Sequence, residues 1–101
     1  MMVDLELNDL KREFLDEARE KVTEMQSALE NVSAESLERL TYLAHQLKGS
    51  GGSYGYQRIS TESAALESAL EKHSGDGTDP RLQQYVVNLR AEIDRCAREL
   101  S

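Results

Sequence analysis

The sequence is poor in residues that cross-link a chain, interrupt helices or build an aromatic core. Its 101 residues include one cysteine, one proline, one phenylalanine and no tryptophan. The lone Cys96 cannot form an internal disulfide, and the scarcity of proline and large aromatic side chains favours helices over a sheet sandwich. The composition therefore predicts an all-α protein, and the length predicts one domain that spans residues 1–101.

Positive charge is also scarce. The 12 lysines and arginines stand against 19 aspartates and glutamates, which gives a net charge of −7 at pH 7. Because no basic cluster interrupts this excess of acid, the balance argues against nucleic acid and anionic membrane surfaces as partners. The sequence also lacks a signal peptide and a long apolar run. We therefore expect a cytoplasmic monomer.

Four segments repeat apolar residues at steps of three, four or seven, the spacing of amphipathic helices. The stripes are Leu10, Phe14, Ala18, Val22, Met25 and Leu29; Leu37, Leu40, Ala44 and Leu47; Tyr56, Ile59, Leu66 and Leu70; and Leu82, Val86, Leu89, Ile93, Cys96 and Leu100. Asn8, Ser33 and Asp79 are the expected N-caps of the first, second and fourth helices. Residues 1–6 are expected to lie outside the first helix. Because the connections are short, the pattern predicts an antiparallel up-down-up-down four-helix bundle.

One stretch, AHQLKGSGGSYG at residues 44–55, holds a histidine and four of the six glycines. At roughly 100° per residue, His45 points about 130° away from the centre of the apolar stripe, on a flank that water can reach. Its neighbours within roughly 60° on the helix surface are Thr41, Lys48, Gly49 and Gly52. The spacing therefore predicts an exposed imidazole next to a lysine and two residues without side chains.

The glycines of this stretch have two explanations. If the second helix continues, Gly49, Gly51 and Gly52 together cost roughly 2 to 3 kcal/mol relative to alanine, and the missing side chains let another molecule approach His45. Otherwise the helix ends near Gly49, a common stop signal, and residues 49–55 form a flexible loop. The glycines taken alone favour the second explanation.

The stretch resembles the signature of histidine-containing phosphotransfer (HPt) domains, in which an Ala-His-x-hydrophobic-Lys-Gly core is followed by small residues and a further glycine. The resemblance implies that His45 is the phosphorylated histidine and that Lys48 lies beside the phosphoryl group. It further implies that the small residues after Lys48 give a receiver domain access to the histidine. The predicted docking positions are Thr41, Gly49, Gly52 and Gly55.

The same resemblance implies a four-helix bundle that works as a phosphorelay intermediate. His45 would accept a phosphoryl group from an aspartyl phosphate of a receiver domain and pass it to another receiver domain. The implied partners are response-regulator receiver domains and a hybrid sensor histidine kinase. The domain would have no cofactor of its own, because the magnesium ion is expected on the receiver. It would be a carrier without a kinase domain of its own, and not an enzyme.

Three other interpretations use the same residues. A plain helical adaptor would carry His45 as an exposed residue without chemistry. A hydrolase would need a nucleophile and an orienting carboxylate, and the candidates beside His45 are only Thr41 and Lys48. A metal site would need His45 and His73 to converge with carboxylates, although the two histidines lie on different predicted helices. The adaptor is the strongest of these alternatives.

Overall fold

Four helices account for nearly all of the residues that the structure describes. The computed structural model describes residues 2–72 and 79–100, with side chains from residue 6 onward, and no strand occurs in those ranges. The helices are α1 (Met2–Glu30), α2 (Ala34–Ser53), α3 (Gln57–Glu71) and α4 (Pro80–Leu100). Helix α1 packs on α2 and α4, and α3 packs on the same two helices. The predicted antiparallel four-helix bundle is confirmed.

Two of the predicted N-caps are confirmed. The Ser33 hydroxyl accepts a hydrogen bond from the Ser36 N–H at 3.0 Å, and the Ser36 hydroxyl accepts one from the Ser33 N–H at 2.8 Å. This reciprocal capping box satisfies donors that the first turn of α2 would otherwise leave unpaired. At the start of α4, Asp79 Oδ1 accepts a hydrogen bond from the Arg81 N–H at 2.9 Å. The caps thus fix where α2 and α4 begin.

The predicted start of the first helix is wrong. Helix α1 begins at Met2, so Asn8 and residues 2–6 lie inside it. No glycine or proline occurs between Met2 and Glu30. The chain therefore has no local reason to begin its helix at Asn8, and a favourable cap residue is also tolerated inside a helix.

Leu10 belongs to the predicted apolar stripe of α1, but it is 48% exposed. The ring of Phe14, one turn later, stacks on Tyr54 and Tyr56 with centroid distances of 4.9 and 5.8 Å. These three rings close the end of the bundle where α2 passes into α3. Because Leu10 lies one turn beyond them, no neighbouring helix covers it.

The other stripe residues form one apolar core, and most of them are buried. Leu15 and Leu43 are also buried, although the predicted stripes omit them. Stripe residues that are only partly buried but still pack against the core are Leu37, Tyr56 and Leu100. No helix in the described ranges has both the length and the apolar character needed to cross a membrane.

A carboxylate is buried on the core side of α4. Glu92 is 7% exposed and pairs with Arg95 on the next turn. The Cys96 thiol donates to Glu92 Oε2 at 3.5 Å. Burial, followed by the hydrogen bond to Glu92, raises the pKa of Cys96 to about 11. Cys96 is therefore a buried, protonated thiol, as its place in the apolar stripe predicts.

Candidate functional site

Helix α2 continues through the glycine-rich stretch and ends at Ser53. The Tyr54 N–H still donates to the Ser50 carbonyl at 3.0 Å. Gly55 then has a φ of 83°, a conformation that residues with a side chain rarely adopt. The loop interpretation of residues 49–53 is wrong, and the turn by itself accounts for the glycine at position 55.

The three glycines inside α2 have different surroundings. A Cβ on Gly51 would lie 3.0 Å from the backbone nitrogen of Ser60 and 3.2 Å from a methyl carbon of Ile59, so α3 approaches too closely for a side chain there. A Cβ on Gly49 would meet nothing within 4 Å, and one on Gly52 would meet only the Ser60 hydroxyl at 3.7 Å. Packing therefore explains Gly51 but does not explain Gly49 and Gly52. At each of these two exposed positions, glycine makes the helix about 0.5 to 1 kcal/mol less stable than alanine would.

His45 lies on an exposed flank of α2, as predicted, and a carboxylate of α3 holds it. The His45 side chain is 64% exposed, whereas that of Glu67 is 13% exposed. Glu67 Oε2 lies 2.8 Å from His45 Nδ1, and Glu67 Oε1 lies 2.8 Å from Lys48 Nζ. One carboxylate thus bridges the histidine and the lysine, and sequence reasoning missed it.

The ionisation of Glu67 determines which nitrogen of His45 is available for reaction. The hydrogen bond from Lys48 lowers the pKa of Glu67, burial opposes this shift, and the bond to His45 adds to it. An ionised carboxylate only accepts hydrogen bonds, so the proton between the two groups belongs to Nδ1. In the neutral ring the lone pair then lies on Nε2, which makes no hydrogen bond to a described residue.

Two hydrogen bonds align α3 with α2 at this site. The Ser60 hydroxyl donates to the Lys48 carbonyl at 2.8 Å. The Tyr56 N–H donates to the Gly51 carbonyl, also at 2.8 Å. Because Gly51 lets the helices approach and these bonds fix their register, Glu67 is level with His45. The site is therefore a product of the α2–α3 hairpin.

The model of the Hpt domain family matches residues 9–99 of the chain. The chain belongs to the Hpt domain family. No curated protein and no solved structure matches it. Hpt domains are phosphotransfer carriers of two-component systems, distinct from the catalytic kinase domains, and they interact with receiver and kinase domains. The match spans all four helices, including the stretch that holds His45.

Thr41 does not give this Hpt domain a hydrolytic nucleophile. Its hydroxyl donates to the Leu37 carbonyl at 2.9 Å, within the helix. The orienting carboxylate that a hydrolase would need is present as Glu67, which is bonded to His45 Nδ1, but no hydroxyl in the described ranges is bonded to His45. A nucleophile-base pair of the hydrolase type is thus not assembled there.

No group of three or more histidines, cysteines or carboxylates within residues 2–72 and 79–100 is placed to hold a metal ion. His73, the second histidine of the metal-site hypothesis, lies outside the described residues.

Proposed function

We propose that His45 Nε2 accepts a phosphoryl group from an aspartyl phosphate of a receiver domain and later donates it to a second receiver domain. The observation that carries the proposal is the exposed imidazole whose Nδ1 is bonded to the ionised Glu67. That contact leaves Nε2 with a free lone pair at the surface of the protein. The family match supports the general role in phosphotransfer.

The transfer forms one bond and breaks another. The Nε2 lone pair attacks phosphorus, the N–P bond forms, and the P–O bond to the aspartyl group breaks to leave a free carboxylate. The imidazole ring gains positive charge in this step, and the Nδ1–H remains bonded to Glu67. A negative charge at 2.8 Å stabilises that developing charge. Glu67 is therefore a positioning residue that also supplies electrostatic stabilisation.

Lys48 acts on the phosphoryl oxygens in this proposal. Its ammonium group has three N–H donors, and Glu67 Oε1 accepts from one of them. The remaining donors can reach oxygens of a group bound to Nε2, because the Lys48 side chain is 39% exposed and one helical turn from His45. Receiver domains are expected to supply the magnesium ion, so this domain needs no cofactor of its own.

Partners and setting follow from the same proposal. Response-regulator receiver domains and a hybrid sensor histidine kinase would exchange the phosphoryl group with a monomeric domain in the cytoplasm. Thr41, Gly49 and Gly52 would lie under the docked receiver. Gly49 and Gly52 support this arrangement because the fold gives no reason for their missing side chains.

The acceptor is tested with the same substitution at both histidines. The wild-type protein, His45→Gln and His73→Gln are incubated with radiolabelled phosphorylated receivers of the source organism, and the label on the domain is assayed for acid lability and base stability. We expect label on the wild-type protein and on His73→Gln, and none on His45→Gln, with equal helicity in all three because His45 is exposed. Label that persists in His45→Gln would assign the acceptor to another residue. Absence of label from the wild-type protein would favour the adaptor.

A further inference from the structure

Tyr42 is a large, exposed aromatic residue one helical turn before His45. Tyr42 is 50% exposed to solvent. The other large apolar residues that are comparably exposed in the described part of the chain lie on α1 and α4, and they are Leu7, Leu10 and Val87. Tyr42 is thus the exposed apolar residue of this group that shares a helix with the proposed acceptor.

The Tyr42 ring is held in place from two sides. The Arg39 guanidinium lies 5.4 Å from the ring centroid, and Arg39 pairs with Glu24 of α1. On the other side, Gln46 Nε2 donates to the Tyr42 hydroxyl at 2.8 Å. These contacts restrict the ring before any partner arrives, so less conformational entropy is lost when it is covered. A rigid, exposed tyrosine is the kind of residue that dominates the energetics of protein interfaces.

This inference rests on the proposed function, which requires a protein to approach His45. Reacting atoms must come within about 3 to 3.5 Å of each other. A specific interface covers about 800 Å² on each partner, and residues one helical turn apart have Cβ atoms about 5 to 6 Å apart. A receiver that reaches Nε2 of His45 must therefore also cover Tyr42.

The surroundings of Tyr42 indicate the chemistry of that partner. The groove between α1 and α2 is lined by Tyr42 together with the charged residues Glu17, Glu20 and Lys21 and the Glu24–Arg39 pair. Glu17 and Glu20 are exposed, whereas Glu24 in the same groove is already paired with Arg39. Because two carboxylates there stand against one lysine, a partner that lies over Tyr42 meets a net negative charge along its α1 side.

We propose that Tyr42 is the apolar anchor of the receiver-docking surface. A fitting receiver places an apolar side chain on the Tyr42 ring and basic residues opposite Glu17 and Glu20. The acidic groove thereby discriminates among receivers, since a receiver with acid at that rim is repelled.

The anchor is tested by Tyr42→Ala with Val87→Ala as the matched control. Val87 is 51% exposed on α4, a helix that does not pack on α2. Affinity is measured by calorimetry with the receiver of the source organism that exchanges phosphate fastest with the wild-type domain. We expect the dissociation constant to rise tenfold or more in Tyr42→Ala and to stay within twofold in Val87→Ala. Labelling by phosphoramidate, a small donor that needs no docking, reports in each variant whether His45 still reacts.

The acidic rim is tested by Glu20→Lys with Glu30→Lys as its control. Both residues are exposed glutamates of α1, and both substitutions change the net charge equally, but Glu30 lines the groove between α1 and α4. We expect Glu20→Lys to weaken binding about three- to tenfold more than Glu30→Lys at low ionic strength, with the difference shrinking in high salt.

The outcomes separate this inference from the proposed function. If the wild-type domain exchanges phosphate but Tyr42→Ala binds the receiver as tightly as Val87→Ala does, the anchor is overturned and the phosphotransfer role stands. Equal effects of Glu20→Lys and Glu30→Lys would overturn the acidic rim. If no receiver of the source organism exchanges phosphate with the wild-type domain, the proposed function fails and the docking surface fails with it.

Discussion

Glu67 connects the two residues that the sequence motif already singles out. Its two oxygens divide the contacts, with His45 Nδ1 on one and Lys48 Nζ on the other. A histidine without this carboxylate would exchange its proton between the two ring nitrogens, so only part of the population would present a free Nε2. The carboxylate therefore controls the reactive form of the ring, although it never touches phosphorus.

The role of Glu67 can be tested by separating its charge from its hydrogen bond. Glu67→Gln keeps an oxygen that accepts from Nδ1–H but removes the negative charge, whereas Glu67→Ala removes both. We expect transfer to slow about tenfold in Glu67→Gln and to slow further in Glu67→Ala. Nitrogen chemical shifts of His45 should report the Nδ1–H tautomer in the wild-type protein and Glu67→Gln, and a mixture in Glu67→Ala.

Glu62 provides the control for this experiment. It lies on α3 and lines the groove toward α4, away from His45. Glu62→Gln should therefore leave both the transfer rate and the His45 nitrogen shifts unchanged. If Glu67→Ala retains a single tautomer and the wild-type rate, Glu67 contributes only to the packing of α3 on α2.

Lys48 is bonded to a carboxylate before any phosphoryl group arrives. Lys48→Ala should fold normally, because a partly exposed ion pair contributes at most about 1 kcal/mol. It should transfer phosphate about five- to thirtyfold more slowly, since a charge-assisted contact of about 1 to 2 kcal/mol is lost in the reacting complex. Lys48→Arg should recover part of the rate because it retains the charge. Rapid-quench transfer kinetics against one receiver provide the measurement, and equal rates for all three proteins would exclude Lys48 from the site.

At the scale of the helix, the glycines of α2 separate into those that the fold needs and those that it does not. Gly51→Ala should destabilise the protein by about 1 to 3 kcal/mol, because its Cβ would press on the backbone of Ser60. Gly49→Ala and Gly52→Ala should each stabilise it by about 0.5 to 1 kcal/mol, because alanine favours the helix and both sites are open. Urea unfolding of the three variants gives these free energies.

The same positions also report on docking. Gly52→Leu should keep its helicity but weaken receiver binding, since the new side chain projects beside His45 where the fold leaves open space. If Gly52→Leu binds and reacts like the wild-type protein, the missing side chain at that position has no part in partner access. If Gly49→Ala stabilises the protein but slows transfer, glycine at position 49 lowers stability and in return lets the receiver reach His45.

The hairpin geometry explains why the motif was predictable and Glu67 was not. Residues equally distant from the turn lie at the same level in an antiparallel helix pair. His45 lies ten residues before Gly55 and Glu67 lies twelve after it, so a count from Gly55 would have placed Glu67 within one turn of His45. That count requires α2 to run unbroken to Ser53, and the glycine cost made this continuity uncertain. Gly51 is needed because α3 approaches it closely. Helix propensity describes a single helix and contains no information about a neighbouring one.

At the scale of the whole molecule, periodicity predicted the architecture because each helix buries one stripe in a single core. The start of α1 escaped prediction because the residues before Asn8 include no glycine or proline that would end a helix. The exposure of Leu10 escaped it because exposure depends on where the neighbouring helices end. The pairing of buried Glu92 with Arg95 also escaped it, although the residues are three apart on one helix. A periodic pattern identifies the buried face of a helix but does not identify a carboxylate that is buried with its partner.

Two carboxylates of this acidic protein should govern its stability toward acid. The pKa of Glu67 is lowered, mainly by the hydrogen bond from Lys48, and that of Glu92 is lowered, mainly by the hydrogen bond from Arg95. A carboxylate with a lower pKa in the folded state than in the unfolded chain stabilises the fold above the unfolded value of about 4.3. This contribution is lost as the pH falls through the folded-state values. The net charge of −7 acts in the opposite direction, since protonation of exposed acids relieves repulsion.

Magnitudes decide between these two effects. Each of the two ion pairs has a partly exposed basic partner and contributes at most about 1 kcal/mol, whereas fully exposed charges interact by a few tenths of a kcal/mol and are screened by salt. We therefore expect the free energy of unfolding, measured with urea in 0.15 M salt, to be nearly constant from about pH 7 to pH 5 and to fall below about pH 4. Glu92→Gln should be less stable at pH 7 and should lose less stability between pH 5 and pH 3, because one of the carboxylates with a lowered pKa is gone. A wild-type protein that becomes more stable below pH 4 would show that charge repulsion outweighs these two ion pairs.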